Sequence, residues 1–394
     1  MAQLIGGAGV TMEVEWLEAE LKMVAGGRTV ELLPKEYALL QFLYRGRGRV
    51  FSREQLLDQV WPREYPVERT VDDHIYRLRK KLASISGMEI KTVRGFGYSL
   101  SMKVVARDIA KPTVRDASLH DMMHGLLGTY HKYGQGHSML TLARQQDALG
   151  YEMDAFYQVC VHFVQGDLEW MLFTGEVDLQ ERIYYLLLFY LFSGGDPGEK
   201  LEFCEEVLEC RKLPALQHEE LYILNILQLY ALAGEPYKAI ERLKVTYEVI
   251  AAPEYIEFVP FTAISELAVH ILAGAPDKQL QELEEKVDRI LAAQPYLREI
   301  GQYHVVKGLR RLRMKFPQEA ENWFDEGLQV LEMTGFVPLR FHALQQIVHY
   351  CALFPNPKLL NKYTKLLEAE QERLGIAWML QPLESLLRKT LLAP

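Results

Sequence analysis

Five prolines, Pro197, Pro236, Pro276, Pro317 and Pro357, follow one another at intervals of 39, 40, 41 and 40 residues. The flanks agree in part: FYLFSGGDPGEKLEF, LYALAGEPYKAIERL, VHILAGAPDKQLQEL, RRLRMKFPQEAENWF and HYCALFPNPKLLNKY each read as a helix end, a tight turn and a proline opening the next helix. Proline's fixed φ and missing N–H suit the first helical position and break a helix interior. Each interval therefore holds one helical hairpin. A hairpin of this size cannot bury its apolar face alone, so successive hairpins stack into a curved array with a concave inner surface. Met139 to Val164 reads as an earlier, degenerate hairpin, and Trp378 to Leu392 as a terminal cap.

A chain of 394 residues that is 49% apolar is too long for one ordinary core and calls for two or three domains. Charge is unevenly shared among them. Residues 1–110 carry 17 Lys+Arg against 14 Asp+Glu, net +3, whereas the remainder is net −12. A basic head on an acidic body suits a nucleic-acid module joined to something that does not touch nucleic acid. The four cysteines, Cys160, Cys204, Cys210 and Cys351, form no CxxC pair, so neither a disulfide framework nor a zinc knuckle is indicated. The opening MAQLIGGAGV has no basic n-region, and no charge-free run of 18 apolar residues occurs. A cytoplasmic protein with no membrane partner is expected. The fold expected is mainly α: an N-terminal α+β winged helix-turn-helix in residues 1–110, a linker and first helix in 111–138, and an all-α repeat solenoid in 139–394.

Short strand patterns at Met12 to Leu21 and Arg28 to Leu32 flank Gly26-Gly27, a hairpin signal. Pro34 opens LPKEYALLQFLYRG, in which Tyr37, Leu40, Leu43 and Tyr44 recur at helical spacing. Ser52 with Gln55 three residues on is a capping box for a second short helix that ends at Trp61-Pro62. A third helix over Arg69 to Leu82 places Val71, Ile75, Leu78 and Leu82 on one face and basic residues on others, which suits a helix in the major groove. IKTVRGFGYSL then reads as strand, turn and strand, a two-stranded wing with Arg94 at its tip.

These three segments, LLPKEYALLQFLYRGRGRVFSREQLLDQVW, RTVDDHIYRLRKKL and IKTVRGFGYSL, resemble the effector domain of the OmpR/PhoB response-regulator family over about 90 residues. The resemblance implies base readout by Arg77 and Arg79, with Arg94 entering the minor groove. It places Trp61, Arg69, Thr70, His74, Lys80 and Thr92 near phosphates, and RNA polymerase joins double-stranded DNA as an expected partner. Asp73 departs from the family, which usually has an apolar residue there. A carboxylate only accepts, so its natural base partner is cytosine N4; the bland alternative is a favourable charge near a helix N-terminus. Tyr76 replaces an often basic position, either trading a phosphate contact or lying as a packed surface ring. The two-component members carry a phosphoacceptor receiver before this domain, whereas about a dozen residues precede it here, so the signal is expected to enter through the C-terminal body or a partner.

LYALAGEPYKAIERLKVTYE resembles a tetratricopeptide repeat, although the interval exceeds the usual length. The pairing of a helix-turn-helix with such repeats resembles one-component bacterial regulators, among them peptide-sensing receptors. The resemblance implies a peptide or small-molecule effector in the groove, with Asn225, Gln228, Lys307, Arg310, Gln346 and His349 as its expected contacts; ordinary solvated or intra-repeat polar residues are the competing reading. Asn225 stands out because it interrupts the apolar run LYILNILQLY, and a buried amide needs a partner.

His120 and His124 have the spacing of a zinc-binding helix, but the expected glutamate is replaced by Asp121 and no third ligand follows, so no metal is assigned. VRGFGY lacks GxGxxG spacing, and no nucleophile elbow, P-loop or carboxylate pair is present; neither a cofactor nor an enzymatic activity is expected. The leading reading is an effector-controlled transcription regulator acting as a homodimer, because one small winged helix reads few base pairs. Its rival is a DNA-tethered scaffold whose repeats dock a partner protein.

Overall fold

The computed structural model describes residues 14–25, 28–62, 64, 66–82, 85, 87–93, 95–102 and 112–392. The chain is mainly helical, with a small α+β portion at its N-terminal end followed by an all-helical remainder, as its patterning predicts. It divides into two compact units. One comprises residues 1–122 with 143–152 and 172–176, and the other comprises 123–142, 153–171 and 177–394.

The first unit begins with an antiparallel meander of β1 (Val14–Leu17), β2 (Lys22–Ala25) and β3 (Arg28–Glu31), in register Met23 to Val30. The Gly26-Gly27 turn lies outside the described residues. Helix α1 (Pro34–Arg45) has proline at its first position, and Glu36 Oε2 accepts from Leu33 N at 2.9 Å, closing one of the free amides of the first turn. After β4 (Val50–Phe51) comes α2 (Arg53–Val60), where the expected capping box forms. Ser52 Oγ accepts from Gln55 N at 3.1 Å, and Gln55 Oε1 accepts from Ser52 N at 2.9 Å. Helix α3 (Arg69–Leu82) is followed by the hairpin β5 (Met88–Val93) and β6 (Gly97–Met102), and β6 lies between β4 and β5. Leu39, Leu40, Leu43, Leu56, Val71 and Leu78 are completely buried at the centre. Gly97 sits at φ +149°, and a Cβ there would lie 2.0 Å from Phe51 O, so the β4–β6 pairing requires glycine.

From Ala117 the chain runs through α4 (Ala117–Lys132), α5 (Gly136–Arg144), α6 (Gln146–Leu149), α7 (Ala155–Gln165), α8 (Leu168–Phe173), α9 (Leu179–Phe192), α10 (Pro197–Cys210) and α11 (Ala215–Glu220). A π-helical turn, Leu221–Asn225, leads into α12 (Ile226–Leu232). The remaining helices are α13 (Pro236–Val249), α14 (Val259–Leu272), α15 (Asp277–Ala293), α16 (Leu297–Arg313), α17 (Pro317–Thr334), α18 (Val337–Leu353), α19 (Pro357–Leu374) and α20 (Leu380–Leu387). Pro197, Pro236, Pro317 and Pro357 occupy the first position of their helices, and Pro276 caps α15 from one residue earlier.

The second unit stacks helical pairs. α12 packs on α13, α14 on α15, α16 on α17 and α18 on α19, while the first helices of successive pairs adjoin each other. Glycines let α16 and α17 approach closely where Gly301 meets Gly327; a Cβ on Gly327 would lie 2.9 Å from Gly301 O. Pro253–Leu272 is long and apolar enough to cross a bilayer by length and composition, but half of its apolar window is buried, and α14 packs among α12, α13, α15 and α16. The array also curls on itself. Gln346 of α18 donates to Gln228 Oε1 of α12 at 2.6 Å across 118 residues of sequence, and accepts from Gln302 Nε2 of α16 at 2.7 Å.

Candidate nucleic-acid interface

Helix α3 separates its faces by the 3.6-residue period. Val71, Ile75, Leu78 and Leu82 are buried, while Arg69, Asp73, Arg77 and Lys80 recur at intervals of four, four and three residues along an exposed stripe. That stripe carries three cations against one carboxylate. Tyr76 is 59% exposed, and Lys80 Nζ lies 4.7 Å from its ring centroid, so the tyrosine is held along the helix surface by a cation–π contact.

The helix is fixed in orientation by polar bonds to its neighbours. Asp72 Oδ1 accepts from Arg53 Nε at 2.7 Å and from the Tyr98 hydroxyl at 2.6 Å, joining α2, α3 and β6 at one carboxylate. Burial alone would raise the Asp72 pKa, but the Tyr98 and Arg53 bonds outweigh it and hold the carboxyl below its ordinary range. Lys81 Nζ reaches the buried Glu36 carboxylate at 2.6 Å, tying the end of α3 to the start of α1. Neither tie follows from the local sequence pattern, because each partner lies 19 to 45 residues away.

The residues expected to contact DNA divide into groups. Arg69, Asp73, Arg77 and Lys80 share the exposed stripe, with Thr70 partly buried at its N-terminal end. His74 Nδ1 bonds Thr70 O at 2.8 Å, and its ring meets the edge of Trp61, which is only 3% exposed. Trp61 is thus mainly a core ring. Arg79 is exposed but engaged: Nε donates to Ile90 O at 2.8 Å and Nη2 to Thr92 Oγ1 at 2.7 Å, so it fastens α3 to the wing strand. Arg94 lies outside the described residues. Lys91, which the motif reading passed over, is exposed on β5 beside Thr92 and adds a cation to the wing. A rigid helix with a basic outer stripe, flanked by a polar hairpin, has the shape and charge for a major groove and its bordering phosphates.

The expected effector contacts also separate. Asn225 and Gln228 line a cavity of about 380 Å³ within the second unit. Gln346 is 2% exposed and belongs to the glutamine chain just described. Lys307, Arg310 and His349 lie away from the cavity wall. Arg310 is buried in ion pairs with Asp277, at 2.6 Å, and Glu284. Lys307 reaches Asp288 at 3.4 Å and lies over the Tyr303 and Trp323 rings. Equivalent repeat positions diverge because the inter-helix partners differ from pair to pair. His124 bonds Asp154 at 2.8 Å, and among the described residues no cluster of three or more His, Cys, Asp or Glu groups is placed to hold a metal ion.

Residues 27–100 match the family described as "Transcriptional regulatory protein, C terminal". The phosphate regulon transcriptional regulatory protein PhoB of Rhizobium meliloti is 58% identical over 76 residues, 18% of this chain and 33% of the relative. The uncharacterized transcriptional regulatory protein YclJ of Bacillus subtilis is 53% identical over 79 residues, 20% of this chain and 35% of the relative. Among solved structures, the DNA-binding domain of E. coli CadC shares 32% identity, covering 23% of this chain and 89% of that one, with a TM-score of 0.22. The chain spans about a third of the length of these curated relatives. The family match, a helix with an exposed basic stripe and a β-hairpin wing together identify residues 27–100 as a winged-helix DNA-binding domain of the OmpR/PhoB type.

Proposed function

We propose that the protein is a sequence-specific transcription regulator that reads double-stranded DNA with α3 and takes its signal through its TPR-like helical unit. The observation that carries the reading is the exposed Arg69–Asp73–Arg77–Lys80 stripe on a helix whose opposite face is fully packed. Such a face is turned away from the packed core and has the features of a groove reader. Arg77, free to fork onto guanine, is the main base reader, and Asp73 accepts from cytosine N4. Lys80 and Arg69 neutralise phosphates, as Lys91 does from the wing, where the Thr92 hydroxyl donates to a phosphate oxygen. A homodimer on tandem half-sites supplies the base pairs that one module cannot read, and RNA polymerase is the downstream partner. The cavity lined by Asn225 and Gln228 favours a bound effector over a purely scaffolding role, because a docked protein needs a surface and not an interior space.

The test is selection of binding sites from random DNA, followed by affinity measurements over a salt series. Wild type should yield a defined consensus. Arg77→Ala should lose about 1–3 kcal/mol and relax preference at one base pair, whereas Lys80→Ala should weaken all sequences alike and lower the salt slope by about 1. Asp73→Val should change the preferred base at one position. A wild-type pool with no enriched sequence overturns the reading.

A further inference from the structure

The cavity in the second unit is lined mainly by aromatic and aliphatic side chains, among them Phe163, Leu188, Phe192, Leu229, Phe261 and Phe336. At about 380 Å³ it falls in the range of small-molecule sites, roughly 300–1,000 Å³. Part of its wall is the π-helical turn Leu221–Asn225, which contributes Leu224 and Asn225. Such turns are uncommon and concentrate where a helix is reshaped around a site.

Most polar groups of the wall already have partners. Asn225 Nδ2 donates to the Tyr184 hydroxyl at 2.8 Å, and that hydroxyl also bonds the Glu220 carboxyl, whose pKa burial raises. Gln228 and Gln302 are both bonded to Gln346. Lys132 pairs with Glu257 at 2.8 Å. His131 and His342 are pushed down to about 3, chiefly by burial and secondarily by Arg298 and Lys200 respectively, so both imidazoles are neutral near pH 7.

Arg298 is different. Among the described residues its guanidinium makes one long hydrogen bond, Nη2 to Lys132 O at 3.4 Å, and its Nε is buried without a partner. The adjacent Glu299 carboxylate stays 3.9 Å from it, beyond hydrogen-bond distance. Its Cζ lies 5.1 Å from the Phe336 ring centroid, and among the described residues only the one long bond to Lys132 O engages its donors. A guanidinium carries five N–H donors in a fork that matches a carboxylate. With Glu299 as its ion-pair partner at 3.9 Å but, among the described residues, no carboxylate oxygen within hydrogen-bond distance, this guanidinium has donors left for the anionic head of a ligand.

We propose that this cavity binds an amphipathic organic anion, a monocarboxylate whose head is clamped by Arg298 and whose apolar body fills the space bounded by Leu188, Phe192 and Phe261. The assignment rests on the effector-controlled reading for its regulatory meaning, but the binding itself is separable. A cationic ligand would have to compete with Lys132 for Glu257 and with Arg298 for Glu299, and a neutral apolar one would leave the guanidinium donors unused.

The experiment is calorimetric titration of the full chain with two matched pairs of probes, octanoate against octan-1-ol and 1-naphthaleneacetate against 2-(1-naphthyl)ethanol. At least one acid should bind tenfold or more tightly than its alcohol. Arg298→Leu should erase that preference, Arg298→Lys should retain part of it, and Leu188→Trp should abolish binding by filling the space. Far-ultraviolet circular dichroism and operator affinity report whether each variant is folded. Equal binding of acid and alcohol, an unchanged preference in Arg298→Leu, or no binding of any probe to folded wild type overturns the proposal. Operator affinity measured with and without the bound acid separates the two readings. Tight binding that leaves DNA affinity unchanged removes the effector role and leaves the site standing.

Discussion

Arg77 and Arg79 are two residues apart on α3, yet their side chains face different tasks. Arg77 is exposed on the outer stripe and makes no hydrogen bond or ion pair among the described residues, whereas Arg79 holds Ile90 O and Thr92 Oγ1 of the wing. Deleting them should therefore separate stability from recognition. Arg79→Ala should cost roughly 1–2 kcal/mol in urea unfolding, since charge-assisted bonds to the wing are lost. Arg77→Ala should stay within about 0.5 kcal/mol of wild type while losing base preference. Equal urea midpoints for the two variants would contradict the assignment. The sequence pattern identifies the face on which these arginines lie, because burial follows the helical period. It does not say which arginine finds a carbonyl on β5, since that depends on where a hairpin 11 residues downstream comes to rest. The same holds for adjacent aspartates: Asp73 stands out by motif, but Asp72 ties three elements together through Arg53 and Tyr98.

The wing shows how a single position decides whether a hairpin can pair. Gly95 and Gly97 both have positive φ, but space remains around Gly95, whereas Gly97 faces Phe51 O. Gly95→Ala should cost about 1–2 kcal/mol, the ordinary penalty of a left-handed L-residue. Gly97→Ala adds a Cβ 2.0 Å from a backbone oxygen and must displace β4 from β6, for roughly 2–4 kcal/mol in total. Equal losses in chemical denaturation would mean that the strand pairing adapts freely. Both glycines belong to a strand–turn–strand pattern that can be read directly, as can four of the five helix-opening prolines. The π-turn at Leu221–Asn225 cannot, because Leu221 to Leu224 are apolar or aromatic and the one interruption, Asn225, marks a polar position without specifying a π-helical turn. The curl that brings Gln228 to Gln346 is equally hidden, since small rotations between successive pairs accumulate over 118 residues.

Enclosing a cavity with ionisable walls makes the stability of the second unit depend on pH. His131 and His342 carry folded-state pKa values near 3 against an ordinary 6.5, because burial, with Arg298 beside one and Lys200 beside the other, disfavours the imidazolium. For a base whose folded pKa is depressed, the unfolded chain takes up protons first as pH falls. Stability is thus intact above about 6.5 and declines progressively below it, toward pH 3. The full shift sets an upper limit of about 1.4 kcal/mol per pH unit for each group. With partial access through the cavity, roughly 1–2 kcal/mol per histidine should be lost at pH 5.0. Glu220 acts in the opposite sense, since its raised pKa makes the folded state the better proton binder above pH 4.5, and so offsets part of the loss. Urea midpoints at pH 7.5, 6.0 and 5.0 should therefore fall steadily in wild type, less steeply in His131→Gln or His342→Gln, and least in the double variant. The comparison is of slopes, so a lower absolute stability of the variants does not obscure it. If wild type and the double variant lost the same stability between pH 7.5 and 5.0, the two imidazoles would not be the groups that bind the protons.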